Sequence, residues 1–162
     1  QATEPKYYPT MMILFYTGLR PQELLRLQPH DVDFENLFIN LPSTSTKTKR
    51  ARPVPVEPEA AGHLRLLPIK FTHQAIARSF ERVCLRIGHK GAITPYTMRH
   101  QFGTDLSNQG ADIRLIMDMM GHTDIRMTAR YTNPDERNKR AAISRRSDVH
   151  NELKKNAEGK EG

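Results

Sequence analysis

Apolar residues recur at helical spacing in separate segments of the chain. Residues 9–16 are mostly apolar and end just before Gly18, and Pro21 follows at a position typical of the first turn of another helix. Thr72 precedes a third segment, which ends at Gly88. Its apolar residues share one helical face: Ile76, Phe80, Val83, Cys84 and Ile87. Each segment predicts a short helix with a buried face.

The second half of the chain continues this pattern. Thr94 and Pro95 form the cap and first turn of one helix, with apolar residues four apart along it: Met98, Phe102 and Leu106. Asp112 caps the next helix, which ends at Gly121. Its inward residues are Ile113, Ile116, Met117 and Met120. Residues 123–131 predict one more short helix.

Two short apolar segments have the character of strands. Residues 37–41 and 53–56 flank the polar, basic segment 43–52, which predicts a small hairpin with a basic tip. Together the elements predict a mainly α fold with a small antiparallel β-sheet or hairpin, within the α+β class.

Composition narrows the classes of function. Apolar residues make up 37% of the 162, and 25 Lys and Arg against 18 Asp and Glu give a net charge of +7, which favours a nucleic-acid partner. The longest apolar run, Met11 to Tyr16, is far shorter than the roughly 20 residues of a bilayer span. We therefore expect no membrane association. The single cysteine, Cys84, excludes an internal disulfide and suits a reducing cytosol. Phosphate-loop, zincin and hydrolase motifs are absent from the sequence, so the common nucleotide-binding, zinc-protease and hydrolase functions have no support, and we expect no metal site and no cofactor.

Several polar residues stand beside predicted turns, caps or helix ends, where side chains from separate segments can converge on a ligand. They are Arg20, Lys47, Arg99, His122 and Tyr131. Each has a structural alternative when taken singly. Arg20 could pair with Glu23, and Lys47 could be one solvated charge among four. His122 could cap the helix that ends at Gly121.

The order and local sequence of these residues resemble a known family. Residues 17–24 (TGLRPQEL) strongly resemble the first arginine box of the tyrosine recombinases, also called phage integrases. Residues 46–48, just before 52–56, resemble the segment with that family's hairpin lysine. Residues 94–100 resemble the box around its second arginine, and 121–131 its terminal box, with the same interval of nine between His122 and Tyr131.

The resemblance covers about residues 9–133 and implies the tyrosine recombinase catalytic-domain fold over residues 1–133. The charged segment 134–162 is then a C-terminal tail, which either docks on a neighbouring protomer through Ile143 or is disordered. The family's separate N-terminal DNA-binding domain has no counterpart in this chain, which begins with glutamine. We therefore expect an excised catalytic domain.

The resemblance also implies an activity, in which DNA strands are cleaved and rejoined at specific sites through a 3′-phosphotyrosine intermediate. The implied roles are Tyr131 as nucleophile, Arg20 and Arg99 as phosphate-holding residues, Lys47 as general acid and His122 as a hydrogen-bond donor to phosphate. Lys49 is the alternative acid. Glu23 and His100 are expected to position the residues that bind phosphate, without contacting the phosphate themselves.

One position departs from the family pattern, because Tyr96 stands where histidine usually begins the second-arginine box. A phenol can donate a hydrogen bond to a phosphate oxygen but is a poor general base at neutral pH. We predict a hydrogen-bonding role for Tyr96, with packing beside the site as the alternative. A run of basic residues is predicted to contact DNA phosphates. It consists of Lys49, Arg50 and Arg52, next to Lys47. The alternative is that these residues form a solvated hairpin tip.

The implied partners are double-stranded DNA, further copies of the chain in a tetramer on paired DNA sites, and accessory DNA-bending proteins. The implied setting is the cytoplasm of a bacterium, with the gene carried by a phage or another mobile element. The alternatives are a type IB topoisomerase, a non-catalytic DNA-binding relative and a generic basic nucleic-acid-binding module.

Overall fold

A computed structural model of the protein describes residues 4–44, 51–90 and 93–131. The helices within these ranges are α1 (Tyr8–Thr17), α2 (Pro21–Arg26), α3 (Pro58–Leu64), α4 (His73–Arg86), α5 (Pro95–Asn108), α6 (Ile113–Met120) and α7 (Ile125–Ala129), with one 3₁₀ turn at Pro29–Asp31. The strands are β1 (Val32–Asp33), β2 (Phe38–Leu41) and β3 (Arg52–Pro55). The predicted class, mainly α with a small antiparallel sheet, is confirmed.

The sheet is antiparallel in the order β1-β2-β3, with Ile39 paired to Val32 on one side and to Val54 on the other. The prolines of β3 are tolerated because β3 is an edge strand. The sequence pattern missed β1, which is only two residues long. It also placed Leu37 in a strand, whereas Leu37 lies in the turn before β2 with a positive φ of 55°.

The core lies between α1, the sheet, α3 and α4. Its fully buried members include Ile13, Leu14, Leu24, Ile39, Leu41, Val54, Leu64 and Ile76. Helix α1 packs against both α3 and α5, which explains why its apolar residues are not confined to one face. In the described part of the chain, no helix has the length and apolar character to cross a membrane.

Glycine C-caps end two helices that border the site. Gly18 after α1 and Gly121 after α6 adopt left-handed conformations, with φ of 60° and 59°.

The predicted inward position of Ile87 is wrong, because α4 ends at Arg86 and Ile87 is 55% exposed. Helix α7 is shorter than the predicted 123–131, because Asp124 caps it by accepting a hydrogen bond from the Arg126 backbone N–H.

Candidate active site

Side chains from distant parts of the chain line one open cleft of about 440 Å³. Residues singled out from the sequence contribute Arg20, Tyr96, Arg99, His100, His122 and Tyr131 to its wall. Arg20 precedes α2, Arg99 lies on α5, and Tyr131 follows α7. The fold therefore brings together residues more than a hundred positions apart.

Glu23 lies beneath the cleft and fixes two arginines. Its carboxylate is 1% exposed and accepts hydrogen bonds from Arg20 Nη1 at 2.8 Å, and from Arg52 Nη1 and Nη2 at 3.1 and 2.9 Å. It also accepts from the Arg20 backbone N–H at 2.9 Å. Burial alone would raise the pKa of Glu23, but the hydrogen bonds and charges of Arg52 and Arg20 outweigh burial and lower that pKa. The pairing of Arg20 with Glu23 thus orients the guanidinium within the cleft wall.

Arg52 is almost fully buried in this structure and pairs with Glu23, an arrangement that does not favour the predicted direct contact with DNA phosphates. Its side chain is 6% exposed, and its Nε also donates to the carbonyl of Met119 at 3.2 Å. Side chains alternate along a strand, and Arg52 shares the buried face of β3 with Val54. Strand alternation places this charge under the cleft, where Glu23 neutralises it.

Arg99 is held by the carboxyl ends of two helices. Its guanidinium is 6% exposed and donates from Nη1 to the Gly18 carbonyl at 2.6 Å and from Nη2 to the Met120 carbonyl. Unpaired carbonyls at helix ends attract cations, so both contacts suit the charge. Burial, followed by the repulsion of Arg20, lowers the pKa of Arg99 to about 10. Arg99 remains a cation at neutral pH.

Gly121 allows the arginines to approach each other closely. Its carbonyl accepts a hydrogen bond from Arg20 Nη2 at 2.9 Å. A Cβ at this position would lie 2.5 Å from Arg52 Nη1, in addition to the cost of the positive φ. We call Arg20, Glu23, Arg52 and Arg99 together the arginine clamp.

His122 is buried, and its Nδ1 is hydrogen-bonded to Thr128 Oγ1 at 2.8 Å. Burial, followed by repulsion from Arg99 and Arg20, lowers the pKa of His122 to about 4. The imidazole is therefore neutral at pH 7. The His122 backbone N–H donates to the Met117 carbonyl at 2.9 Å, a contact at the end of α6 that does not involve the imidazole.

Tyr131 is half-buried at the end of α7, where its backbone N–H donates to the Thr128 carbonyl at 2.9 Å. Its ring lies 4.9 Å from the ring of His100, tilted by 54°, and 6.2 Å from the nearly parallel ring of His122. A Cβ on Gly103 would lie 3.1 Å from two carbons of the Tyr131 ring. We call His100, His122, Thr128 and Tyr131 together the nucleophile side, after the role that the sequence analysis predicts for Tyr131.

A family model described as the Phage integrase family matches residues 2–138. The chain belongs to the phage integrase family. It is 28% identical over 153 residues to a tyrosine recombinase of Pseudothermotoga lettingae, covering 85% of this chain and 53% of the relative. It is 30% identical over 143 residues to tyrosine recombinase XerD of Lacticaseibacillus casei, covering 75% of this chain and 48% of the relative. The chain thus spans about half the length of the curated relatives it matches.

Solved structures of the family share the fold. The integrase of transposon Tn1549, solved in complex with a circular intermediate DNA, superposes with a TM-score of 0.71 at 26% identity over 86% of this chain and 58% of the integrase. The XerA recombinase structure gives a TM-score of 0.69 at 27% identity, over 87% of this chain and 58% of that one. The catalytic-domain fold expected from the sequence is confirmed.

The cleft of this phage integrase family member can bind an oxyanion beside a phenol. The guanidinium groups of Arg20 and Arg99 are preorganised, and planar guanidinium groups match the spacing of phosphate oxygens. Arg130, an exposed neighbour of Tyr131, adds positive charge at the cleft wall. Among the described residues, no cluster of three or more His, Cys, Asp or Glu is arranged to hold a metal ion.

Tyr96 lies at the cleft, where its predicted hydrogen-bonding role requires it to be, whereas His100 takes a different position from the one expected. Tyr96 lines the cleft with 53% of its surface exposed, and its ring lies 6.4 Å from that of His73. His100 was expected behind Arg99, but the structure exposes it in the cleft wall against Tyr131. Because α5 turns by about 100° per residue, His100 leaves the buried face that Arg99 occupies.

Sequence reasoning missed two residues that shape the nucleophile side. Thr128 is fully buried and bonded to His122, and the local sequence gives no signal of this contact. Gly103 lies within α5, where a glycine costs about 1 kcal/mol relative to alanine and therefore signals a close contact. The close contact is with Met120 and Tyr131, which leave no room for a Cβ on Gly103.

Some predicted site residues lie outside the described residues. They are Lys47, Lys49 and Arg50 in the segment 45–50, and the whole tail 134–162. Their roles as acid, phosphate contacts and docking segment stay predictions.

Proposed function

We propose that this chain is the catalytic domain of a site-specific DNA recombinase that cleaves and rejoins strands through a 3′-phosphotyrosine. The observation that carries the proposal is the convergence of Arg20, Arg99, His122 and Tyr131 on one cleft. Membership of the phage integrase family supports it. The domain boundary at residue 133, with a separate tail over 134–162, is part of the same proposal.

The reaction is a transesterification at phosphorus. The Tyr131 oxygen forms a bond to the phosphorus of a DNA phosphodiester, and the bond from phosphorus to the 5′ oxygen breaks. A 5′ hydroxyl of another strand later attacks the phosphotyrosine and releases Tyr131. One phosphodiester is exchanged for another, so the step needs no external energy source.

The arginine clamp stabilises the charge that develops in the transition state. Arg20 and Arg99 bind the non-bridging oxygens, and their contacts to Glu23, Gly18 and Met120 fix them before substrate arrives. Donors fixed in advance need no reorganisation during the reaction, so losing one costs about 3 kcal/mol of transition-state stabilisation. Neutral His122 donates a hydrogen bond from its Nε2, with Thr128 holding the other ring nitrogen.

The leaving 5′ oxygen needs a proton, for which we propose Lys47, with Lys49 as the alternative. A substrate with sulfur in place of the 5′ oxygen tests this role, because a thiolate leaves without protonation. Replacing the acid should slow cleavage of the ordinary substrate and leave cleavage of the sulfur substrate unchanged.

Double-stranded DNA is the proposed substrate, supported by the Tn1549 integrase solved in complex with DNA. We further propose a tetramer on two paired DNA sites, aided by accessory DNA-bending proteins, in the cytoplasm of a bacterium.

The tail 134–162 would dock on a neighbouring protomer. Truncation after Asn133 should then reduce the cooperativity of pairing two sites, and unchanged cooperativity would contradict docking.

The experiment that tests the proposed function is covalent capture of DNA. The protein, expressed from its complete reading frame, is incubated with nicked duplexes tiled across the DNA that flanks its gene, and SDS-resistant adducts are resolved on a gel. We expect an adduct with the wild-type protein and none with Tyr131→Phe. Joining two different duplexes then separates a recombinase from a type IB topoisomerase. Site binding without any adduct would favour the non-catalytic relative.

A further inference from the structure

Two imidazoles lie beside the proposed nucleophile, and their surroundings differ. The ring of His100 is 4.9 Å from that of Tyr131, and the ring of His122 is 6.2 Å away. His100 is exposed in the cleft, whereas His122 is buried. The two groups therefore cannot have the same chemistry toward the Tyr131 hydroxyl.

The proposed reaction requires a proton acceptor at this place. An ordinary phenol has a pKa near 10, so only about 0.1% of it is ionised at pH 7. The position where the family usually has histidine is occupied by Tyr96, and a second phenol is no better as an acceptor. Another base must act on Tyr131 if cleavage proceeds at neutral pH.

His122 is unsuited to accept this proton. Its Nδ1 is engaged with Thr128 Oγ1, and a protonated ring would stand in a buried site next to Arg99 and Arg20. The same surroundings lower the pKa of His122 to about 4, so that it binds a proton weakly. His122 is a hydrogen-bond donor in this site.

His100 has the features that His122 lacks. Its ring makes no hydrogen bond to any residue that the structure describes, so both nitrogens are open to a new partner. Its exposure allows a proton taken from Tyr131 to pass to water. The other charged groups of the cleft wall are Arg20, Arg99 and Arg130, which are cations and cannot accept a proton.

We propose that His100 is the general base that removes the proton from Tyr131. The inference rests on the proposed function. A ring nitrogen of His100 takes the phenolic proton as the Tyr131 oxygen bonds to phosphorus. The electron pair of the breaking bond goes to the 5′ oxygen, which is protonated by the proposed acid, Lys47. The imidazolium releases its proton to water or returns it to Tyr131 in the reverse step.

The test measures single-turnover adduct formation on a nicked duplex that the wild-type protein captures covalently. His100→Ala and His100→Gln are compared with wild type, with His89→Ala as the control because His89 is an exposed imidazole outside the cleft. General-base catalysis contributes on the order of 10²-fold or more, so we expect both His100 variants to slow by that factor. His89→Ala should cleave at the wild-type rate.

Added imidazole distinguishes a base from a packing residue. We expect free imidazole to restore part of the rate of His100→Ala, more for more basic imidazoles, with no change in affinity for the duplex. A merely structural role would not respond in this way. His100 variants with the wild-type rate, or slow variants that no imidazole restores, would overturn the inference and leave the proposed function standing. A wild-type protein that forms no adduct on any tiled duplex would overturn both.

Discussion

The arginine clamp and the nucleophile side both contribute residues to the cleft and are built differently. Glu23, Arg52 and Arg99 of the clamp are buried and Arg20 is half-buried. Each of these charged groups has several partners, and Glu23 alone accepts four hydrogen bonds. The nucleophile side consists of an exposed ring on α5 and a half-buried ring just after the short α7, with the pair between His122 and Thr128 as its buried anchor. A group that stabilises charge gains from rigidity, whereas a nucleophile must move toward phosphorus and back.

The largest effect is expected from removing the charge that holds the clamp together. Glu23→Gln leaves the buried Arg52 and the half-buried Arg20 without their counter-charge, so the free energy of unfolding should fall by about 3 to 5 kcal/mol. The control is Glu4→Gln, because Glu4 is partly exposed and pairs with Arg82 at 2.7 Å. That change should cost less than about 1 kcal/mol in urea unfolding. Equal costs for the two variants would mean that the ion pairs of the clamp contribute no more to stability than a partly exposed pair does.

The next largest loss of stability is expected from adding a Cβ at Gly121, next to Arg52. Gly121→Ala meets both a positive φ and the Arg52 guanidinium, and we expect a loss of about 3 kcal/mol. Gly88→Ala is the matched control, since Gly88 has a φ of 65° but no atom within 4 Å of the place that a Cβ would occupy. It should cost about 1 kcal/mol, the strain of the backbone alone. Thermal and urea unfolding of both variants give the difference, which would vanish if Arg52 can move aside freely.

His122 connects the two regions, because the clamp arginines help to lower its pKa. The folded-state pKa is about 4 against an ordinary value of 6.5, so the unfolded chain binds this proton first as the pH falls. Its contribution to stability is complete above pH 6.5 and is lost between pH 6.5 and 4. We expect wild type to lose about 2 kcal/mol more than His122→Asn over that range. Urea unfolding of both proteins at several pH values measures this, and parallel curves would contradict the lowered pKa.

The smallest effect is expected where the nucleophile ring packs on α5. Gly103→Ala places a Cβ 2.8 Å from Met120 Sδ and 3.1 Å from the Tyr131 ring, so the ring must shift. We expect adduct formation to slow about tenfold while stability changes by about 1 kcal/mol or less, since helix propensity offsets the crowding. Gly62→Ala, within α3 and with open space around it, should raise stability slightly and leave the rate unchanged. A normal rate for Gly103→Ala would show that the position of Tyr131 tolerates the shift.

The sequence by itself determined the elements and the identity of most site residues. Caps and proline starts are local signals: Thr72, Thr94 and Asp112 each accept the hydrogen bond that begins a helix, as predicted. The ordered boxes around Arg20, Arg99 and Tyr131 identified the family. These features depend on neighbours a few residues away, which the sequence displays directly.

Only the tertiary structure decided how those residues are used. The inward turn of Arg52, the sharing of Glu23 by two arginines and the exposure of His100 depend on residues from 29 to more than a hundred positions apart. Burial and the summed charge of the clamp also set the pKa of His122, and neither can be obtained from local sequence. Hydrogen bonds and desolvation act between atoms in space, so their partners are fixed only when the helices and the sheet pack together.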